Sequence, residues 1–295
     1  MNAPQPLDQP EELEDFKHEV DPDTILPVVF LTHDRTTVAR ECLKSLVANL
    51  ECKDRQLVWL LCSDRSAEGH VEALFDVLER HGVPKDRAFA LLTTKQRHGL
   101  GASMNNGILH AMDEAGLGCD VCLRTEDDWL LKRPLDLTPF VDAMTKGSGT
   151  VGCIRMGMMF RDRDELLPFS DHARPDTNGL LYRVKSKPGR TMTFNNQIAL
   201  VSSAIYDLCG LYDENAKPEE VEQNMAVRYN RATAKGASSP FVCWPVGWAT
   251  NKEQDDRLPF AHVGESTIGH RFEIPKQYRR LNDREADMSA RRMFS

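Results

Sequence analysis

Short apolar runs alternate with amphipathic stretches along the first half of the chain. The runs at 24–32, 56–64, 88–94 and 119–125 are seven to nine residues long, as is typical of strands that are buried on both faces of a sheet. Between the runs, apolar residues recur at helical spacing. The pattern predicts an α/β fold, with a mostly parallel sheet and flanking helices.

Polar residues with capping ability mark where the intervening helices begin. Thr36 or Thr37 can cap the first helix and Ser66 the second, because their hydroxyls can accept hydrogen bonds from the N–H groups of a first turn. The third helix is predicted over about 99–115, where apolar residues recur four apart. Each strand is therefore followed by a crossover helix.

The alternation weakens after about residue 150. Further strands are predicted in 151–160, 179–185 and 191–203, and helices over about 204–211 and 217–236, whereas 241–249 is a further apolar segment. The second of these helices has Pro218 in its first turn and glutamates directly after it, which suits the positive end of a helix dipole. The second half of the chain is predicted to be mixed in strand direction.

Composition narrows the class of protein. Hydrophobic residues make up 41% of the chain and charged residues 28%, as in an ordinary soluble globular protein. The net charge of −8 argues against an extended surface for nucleic acid. No apolar run approaches the roughly 18 residues of a membrane span, and residues 1–23 are acidic and proline-rich, unlike a signal peptide. We expect a flexible leader there and a cytoplasmic protein.

The eight cysteines are expected to be free thiols. Only Cys119 and Cys122 have the C-x-x-C spacing of zinc or redox sites. Both fall in a predicted strand, where residues three apart point to opposite faces. The pair is therefore not expected to bind zinc.

Polar residues follow each of the four predicted strands. Because ligands bind at the carboxyl ends of strands in open α/β sheets, these positions predict one site at that rim. The triplet in "TEDDW" could bind a divalent cation there or form a solvated acidic turn, and the aspartates after the first two strands could instead cap helices. The positions are Thr32, His33, Asp34 and Arg35; Ser63, Asp64 and Arg65; Lys95, Gln96, Arg97 and His98; and Glu126, Asp127 and Asp128.

Two common nucleotide-binding motifs are missing from the sequence. The first predicted strand ends in "THDRTT", without the glycines of a dinucleotide-binding G-x-G-x-x-G, and no G-x-x-x-x-G-K-[ST] occurs. Hydride transfer and P-loop ATP hydrolysis therefore lose their main support.

Four segments of the first half resemble, in order and spacing, the GT-A-fold glycosyltransferases, most closely glycosyltransferase family 2. They are "VVFLTHDRTTVARECLKSL", "LLCSDRS", "RHGLGASMNNGILHAM" and "CLRTEDDWLL". The last is similar to the D-x-D motif of the family, with Glu126 in place of the first aspartate. In the second half, "NNQIALVSSAIYDLCGLYDEN", "EEVEQNMAVR" and "FAHVGEST" are similar to later family segments.

The resemblance implies a GT-A fold and metal-dependent transfer of a hexose or pentose from a nucleotide-sugar donor to an acceptor hydroxyl, with inversion. It implies a donor-binding half over 24–132 and an acceptor-binding, catalytic half of the same domain over 133–270, followed by a charged tail over 271–295. The cofactor would be Mn²⁺ or Mg²⁺, since hard cations take oxygen ligands.

The resemblance also suggests roles for single residues. The donor would contact Thr32, Asp34, Arg35, Asp64, Arg97, Gly99, Asn105, Glu126 and Asp127, and the metal would bind Asp128 and His262. The catalytic base would be Glu222 or Glu220, with Glu219 as a further alternative, because the Glu-Asp pair of the family is absent from this segment. Those glutamates could equally serve only to offset the helix dipole.

Two other functions stay open at this stage. A sugar-nucleotide nucleotidyltransferase also uses a parallel sheet and a carboxylate-bound cation, but it would want a glycine-rich loop where "THDRTT" stands. A catalytically idle protein that binds nucleotide or carbohydrate could use the same fold. The donor, the class of acceptor and the oligomeric state do not follow from the sequence.

Overall fold

A computed structural model describes residues 11–146, 151–157, 166–168, 180–184, 194, 197–234, 240–245, 248 and 258–263. Its helices are α1 (Glu11–Glu19), α2 (Thr36–Asn49), α3 (His70–Arg80), α4 (Leu100–Met112), α5 (Thr138–Thr145), α6 (Ser203–Cys209) and α7 (Pro218–Ala234). Its strands are β1 (Ile25–Thr32), β2 (Leu50–Glu51), β3 (Gln56–Ser63), β4 (Ala88–Leu92), β5 (Val121–Glu126), β6 (Trp129–Leu131), β7 (Leu135–Asp136), β8 (Val151–Arg155), β9 (Leu166–Pro168), β10 (Leu181–Val184), β11 (Ala199–Ser202), β12 (Phe241–Pro245) and β13 (Phe260–His262). The predicted tail over 271–295 lies outside the described residues.

Nine strands form one sheet in the order β4-β3-β1-β5-β11-β8-β12-β10-β9. The first four are parallel, whereas β11 runs antiparallel to both of its neighbours and β8 and β12 pair in parallel. Two small ribbons, β6 with β13 and β2 with β7, flank this sheet. The predicted α/β fold, with a parallel first half and a mixed second half, is confirmed.

Strand β1 lies at the centre of the parallel half, and all eight of its residues are buried. Its side chains alternate between two cores, as strand geometry requires. Leu26 and Phe30 pack on the side of α2 and α3, and Val29 and Leu31 pack on the side of α4. Helix α4 lies so close to the sheet that a Cβ on Gly107 would fall 2.4 Å from Val29 Cγ1. The helices therefore hold the strand ends in a fixed position.

Both predicted caps were wrong. Arg35 is the N-cap residue of α2, and Thr36 Oγ1 lies 2.8 Å from a ring nitrogen of His70 instead of capping the helix. Helix α3 begins four residues after Ser66, with Gly69 as its N-cap in the left-handed backbone region. The hydroxyls that looked like caps are used in contacts between loops, which local sequence patterns do not report.

Part of the predicted leader forms helix α1. Leu13 is fully buried and Phe16 packs on Phe89 of β4, with ring centroids 5.5 Å apart. Lys17 Nζ donates a hydrogen bond to the carbonyl of Ala115 at 2.7 Å. The leader prediction rested on net charge and proline content. It therefore missed these two apolar residues three apart, which give the helix a buried face.

None of the described helices is both long enough and apolar enough to cross a membrane.

All eight cysteines are buried free thiols. Burial raises the pKa of Cys119 and of Cys122 to about 12, so almost no thiolate forms near neutral pH. We predict that a thiol reagent such as DTNB modifies the native chain far more slowly than an exposed cysteine, and modifies all eight thiols in denaturant. A thiol that reacts rapidly in the native chain would contradict this packing.

His110 is a buried histidine in the last turn of α4. It is fully buried, its Nδ1 donates to the carbonyl of Asn106 at 2.8 Å, and its Nε2 has no hydrogen-bond partner among the described residues. Burial lowers the pKa of His110 in the folded chain. The unfolded chain therefore binds more protons below the usual histidine pKa of about 6.5.

This burial predicts a loss of stability in weak acid. The His110 contribution is fully present above about pH 6.5 and is lost as the pH falls towards the lowered pKa of the folded chain. In urea unfolding at pH 8 to 5, the difference in free energy of unfolding between wild type and His110→Gln should shrink with falling pH. His81→Gln, at an exposed histidine, is the matched control. A difference independent of pH would contradict the prediction.

Candidate functional site

The carboxyl ends of the parallel strands lie side by side at one rim of the sheet. The register places Thr32 of β1 beside Ser63 of β3, and Leu31 of β1 beside Glu126 of β5. The acidic triplet begins where β5 ends, because Glu126 is the last residue of that strand. The loops after β1, β3 and β4 therefore leave the sheet at the same rim as the triplet.

Asp127 is held from three directions. Its Oδ2 accepts hydrogen bonds from Thr32 Oγ1 at 2.9 Å and from the backbone N–H of His33 at 3.2 Å, and its Oδ1 pairs with Arg35 Nη2. The residue is 1% exposed. Asp127 is thus a buried, fully bonded carboxylate that joins the loop after β1 to the end of β5.

His70 extends this network behind Thr32. Since Thr32 Oγ1 gives its proton to Asp127, it accepts from His70 Nε2 at 2.7 Å, and Nδ1 of the same ring then accepts from Thr36 Oγ1 at 2.8 Å. His70 is not among the site residues predicted from the sequence. Its position in the first turn of α3 carries no local signal, because its partners lie more than thirty residues away in the chain.

Asp128 has an incomplete set of hydrogen bonds. Its Oδ2 lies 3.1 Å from Arg35 Nη1 and 3.3 Å from His262 Nε2. Its Oδ1 is buried without a hydrogen-bond partner among the described residues. Burial acts to raise the pKa of Asp128, but Arg35 and His262 overcome it and hold the pKa below its usual value. Asp128 is therefore an anion with one oxygen available to a ligand.

The second half of the chain brings His262 to this carboxylate. Strand β13 pairs antiparallel with β6, so that His262 lies opposite Trp129 with ring centroids 4.9 Å apart. The backbone N–H of Val263 also donates to the carbonyl of Asp128 at 2.8 Å. A segment more than 130 residues away in sequence thus closes one side of the triplet.

The charge of Glu222 influences Glu126 at the rim. Burial, followed by the charges of Asp128 and Glu222, raises the pKa of Glu126 well above its usual value. Glu222 is half-buried on α7. Burial raises the pKa of Tyr212, and the charge of Glu222 adds to this effect. Helix α7, which starts ninety residues after Asp128, therefore brings Glu222 close enough for its charge to affect Glu126.

Glu220, another candidate base, differs from Glu222 in its surroundings. Glu220 is exposed, and its Oε2 accepts a hydrogen bond from the backbone N–H of Lys217 at 3.4 Å, as a residue that caps the start of α7 would. Glu219 also lies in the first turn of α7.

Asp34 and Asp64 tie the rim loops to one another. Asp34, in the left-handed backbone region with φ of 50°, accepts from the N–H of Ala67 at 2.5 Å through Oδ1. Asp64 Oδ1 accepts from Thr93 Oγ1 at 2.8 Å and from the N–H of Gly99 at 2.9 Å. Both aspartates order the loops around the rim, and their predicted contacts with a donor remain predictions.

Arg97 and Asn105 converge on Glu214 in the loop before α7. Arg97 binds both carboxylate oxygens of Glu214, at 2.8 and 2.5 Å. Asn105 donates to Glu214 at 2.8 Å and to the carbonyl of Tyr212 at 3.0 Å. The Arg97 contact lowers the pKa of Glu214. This cluster fastens α4 to the loop, and Glu214, a residue of the quoted "GLYDE" stretch, is a partner that the sequence analysis did not single out.

The side chains around the acidic triplet offer ligand atoms that suit a hard divalent cation. No preformed group of three or more His, Cys, Asp or Glu ligands occurs within the described ranges. Asp128 nevertheless offers a buried oxygen without a hydrogen-bond partner in those ranges, with His262 Nε2 and the half-buried Glu126 close by. Mg²⁺ and similar ions commonly take one or two carboxylates, with waters and substrate phosphates completing the shell. The residues fit such an ion.

Comparisons with known proteins identify the fold. No protein-family model and no curated protein matches the chain. Among solved structures, GalNAc-T7 with UDP, GalNAc and Mn²⁺ matches with a TM-score of 0.53 and 14% identity, over 90% of this chain and 48% of the other. TarS of S. aureus, residues 1–349 with UDP-GlcNAc, matches with a TM-score of 0.49 and 11% identity, over 89% and 65%.

A third match is the mannosyltransferase PcManGT of Pyrobaculum calidifontis with GDP-Man and Mn²⁺, with a TM-score of 0.44 and 15% identity, over 77% of this chain and 60% of the other. The chain therefore spans 48% to 65% of the length of these three proteins. The likeness to GalNAc-T7, joined to the sheet order described above, shows the architecture. The chain has the GT-A fold.

Proposed function

We propose that this chain is a metal-dependent glycosyltransferase that moves a sugar from a nucleotide-sugar donor to an acceptor hydroxyl. The observation that carries the proposal is Asp128: an ionised, buried carboxylate with one oxygen open to a ligand, at the carboxyl end of the central strands of a GT-A sheet. In such sheets ligands bind outside the carboxyl ends of the strands. The solved matches named above contain UDP, UDP-GlcNAc or GDP-Man.

Asp128 and His262 would hold the cation, with Glu126 close enough to join them directly or through water. A bound Mn²⁺ or Mg²⁺ would supply Lewis-acid stabilisation of the departing nucleoside diphosphate. Asp127 keeps its place through Thr32 and the backbone of His33, and so fixes the turn from which Asp128 projects.

Glu222 is the proposed base for the acceptor hydroxyl. The charge of Glu222 contributes to the raised pKa of Glu126 at the rim. Glu220, in contrast, is exposed at the start of the same helix. An inverting displacement requires a base that takes the proton of the acceptor oxygen as that oxygen attacks the anomeric carbon. A positioned carboxylate that does so raises the rate by about 10²–10⁴-fold. The new bond forms on the face opposite the leaving diphosphate, so the configuration inverts.

The loops after β1, β3 and β4 would bind the nucleoside. Asp64 uses Oδ1 for its bonds to Thr93 and Gly99, and we assign its Oδ2 to the base or ribose. Gly99 has a φ of 93°, and a Cβ there would meet no atom within 4 Å. The loop after β4 therefore leaves open space beside the start of α4.

One observation favours a second function, that of a nucleotide-binding protein without transferase activity. Arg35 already pairs with both Asp127 and Asp128, as a site that works without a metal would require. Such a protein would bind a nucleotide independently of Mn²⁺ and leave the donor intact.

Hydrolysis of donors separates the two functions. Incubation with a panel of uridine, guanosine, cytidine, adenosine and thymidine diphosphate sugars, with Mn²⁺ or with EDTA, should release one nucleoside diphosphate only when the metal is present, because water can replace the acceptor at a slow rate. Release with EDTA, or binding without any release, would contradict the proposed transferase.

A further inference from the structure

Arg35 occupies the position where a cation at the triplet is needed. Its guanidinium pairs with Asp127 through Nη2 and with Asp128 through Nη1, the latter at 3.1 Å. The two aspartate side chains are 2% and 9% exposed, whereas that of Arg35 is 34% exposed. One half-exposed arginine thus bridges two buried carboxylates.

The carboxylates keep the charge of Arg35 in place. Burial opposes a charged guanidinium, but Asp127, Asp128 and Glu126 together raise the pKa of Arg35. Removing one partner of a buried ion pair leaves the other charge poorly compensated and destabilises it. Before metal and donor bind, the pair Asp127–Asp128 therefore depends on Arg35.

A divalent ion on Asp128 would change this balance. The ion and Arg35 would then share one carboxylate, and two cations on a single carboxylate repel each other in a poorly solvated site. An ion on Asp128 leaves Asp127 in its place. Thr32 and His33 still bind Asp127 Oδ2, and Arg35 Nη2 still binds Asp127 Oδ1. The contact between Arg35 and Asp128 is the one that the ion weakens.

Resting on the proposed function, we propose that Arg35 is an exchangeable counter-ion that couples the metal to the donor diphosphate. It neutralises Asp127 and Asp128 before ligands bind, and it turns from Asp128 to the diphosphate when the metal takes Asp128. Arginine suits this role because its planar group makes paired hydrogen bonds to carboxylate and phosphate alike. Its place at the N-cap of α2 and its part exposure put it at the opening of the site.

The exchange has a thermodynamic signature. With Arg35 present, the metal alone binds weakly because it competes with the guanidinium, and it binds more tightly once a diphosphate receives that guanidinium. Linkage makes the coupling reciprocal, so that the diphosphate also binds more tightly with metal. Removing the charge of Arg35 should therefore strengthen the binding of metal alone and weaken that of the diphosphate.

The test compares wild type with Arg35→Gln, which keeps a polar group and removes the charge. Mn²⁺ alone is titrated by the EPR signal of the free ion, and inorganic pyrophosphate is titrated by calorimetry in the presence of Mn²⁺, so that no choice of base is needed. We expect Mn²⁺ to bind the variant roughly tenfold more tightly and pyrophosphate roughly tenfold more weakly, within the usual range of coupling between sites. Arg40→Gln, at an exposed arginine of the same helix, should match wild type in both titrations.

The outcomes separate this inference from the function on which it rests. Equal or weaker Mn²⁺ binding by a folded Arg35→Gln, or unchanged pyrophosphate binding, overturns the exchange. No Mn²⁺ binding by either folded protein overturns the metal-dependent function itself. If Arg35→Gln does not fold, the double variant Arg35→Gln/Asp127→Asn keeps the net charge of the pair, and its binding of Mn²⁺ alone should still exceed that of wild type. Weaker binding there also overturns the exchange.

Discussion

Asp128→Asn is expected to abolish binding of Mn²⁺ and to lower donor turnover by roughly 10²–10³-fold, the usual loss when one stabiliser of transition-state charge is removed. Asparagine has the shape of aspartate but lacks the charge that Arg35 and His262 maintain. It also turns one carboxylate oxygen into an N–H donor, which cannot ligate a cation.

The effect should be specific to this carboxylate. Asp136→Asn provides the matched control, because Asp136 also follows the central strands in sequence but pairs with Lys53 at 2.8 Å, outside the rim. Turnover of nucleotide sugars and EPR titration of Mn²⁺ are measured on both variants, with thermal unfolding to confirm the fold. Mn²⁺ binding at wild-type strength in Asp128→Asn would remove Asp128 from the metal site.

Glu222→Gln is expected to lower kcat by about 10²–10⁴-fold, as the loss of a general base does, and to leave the binding of Mn²⁺ and nucleotide nearly unchanged. The variant keeps the size of the side chain and removes its ability to take a proton.

Glu220→Gln decides between the two candidate bases. Glu220 is exposed and bonded to the start of α7, so its variant should retain most of the kcat of wild type. Single-turnover rates, measured at saturating donor, separate a loss of chemistry from a loss of affinity. A large loss in Glu220→Gln, with a small one in Glu222→Gln, would exchange their roles.

The order and type of the elements in the parallel half could be predicted from the sequence. In that half, apolar runs of strand length alternate with helical periodicity, and the buried face of each element is visible from its own residues. The strands β1, β3, β4 and β5 and the helices α2 and α4 begin within two residues of the positions where the patterns placed them. Helix α3 begins later because Ser66, the predicted cap, bonds to Ser63 instead.

The partners of the site residues could not be predicted in the same way. Arg35 and Asp127, or Arg97 and Glu214, are ion pairs between residues more than ninety positions apart. Nothing in either local sequence indicates which carboxylate an arginine will meet. The motif resemblance selected residues that the fold brings to one rim of the sheet, but only the fold shows that Arg97 is paired with Glu214 and that Asp128 retains an oxygen without a described partner.

The proposal that Asp128 holds a metal that binds the nucleotide donor is tested most directly by calorimetry. Wild type and Asp128→Ala are titrated with a panel of nucleoside diphosphates, each with and without Mn²⁺. We predict that one nucleotide binds wild type in the presence of Mn²⁺ and binds much more weakly without the metal. Asp128→Ala should not bind that nucleotide. Absence of binding by every nucleotide with Mn²⁺ present, or binding that is indifferent to both the metal and Asp128, would contradict the account.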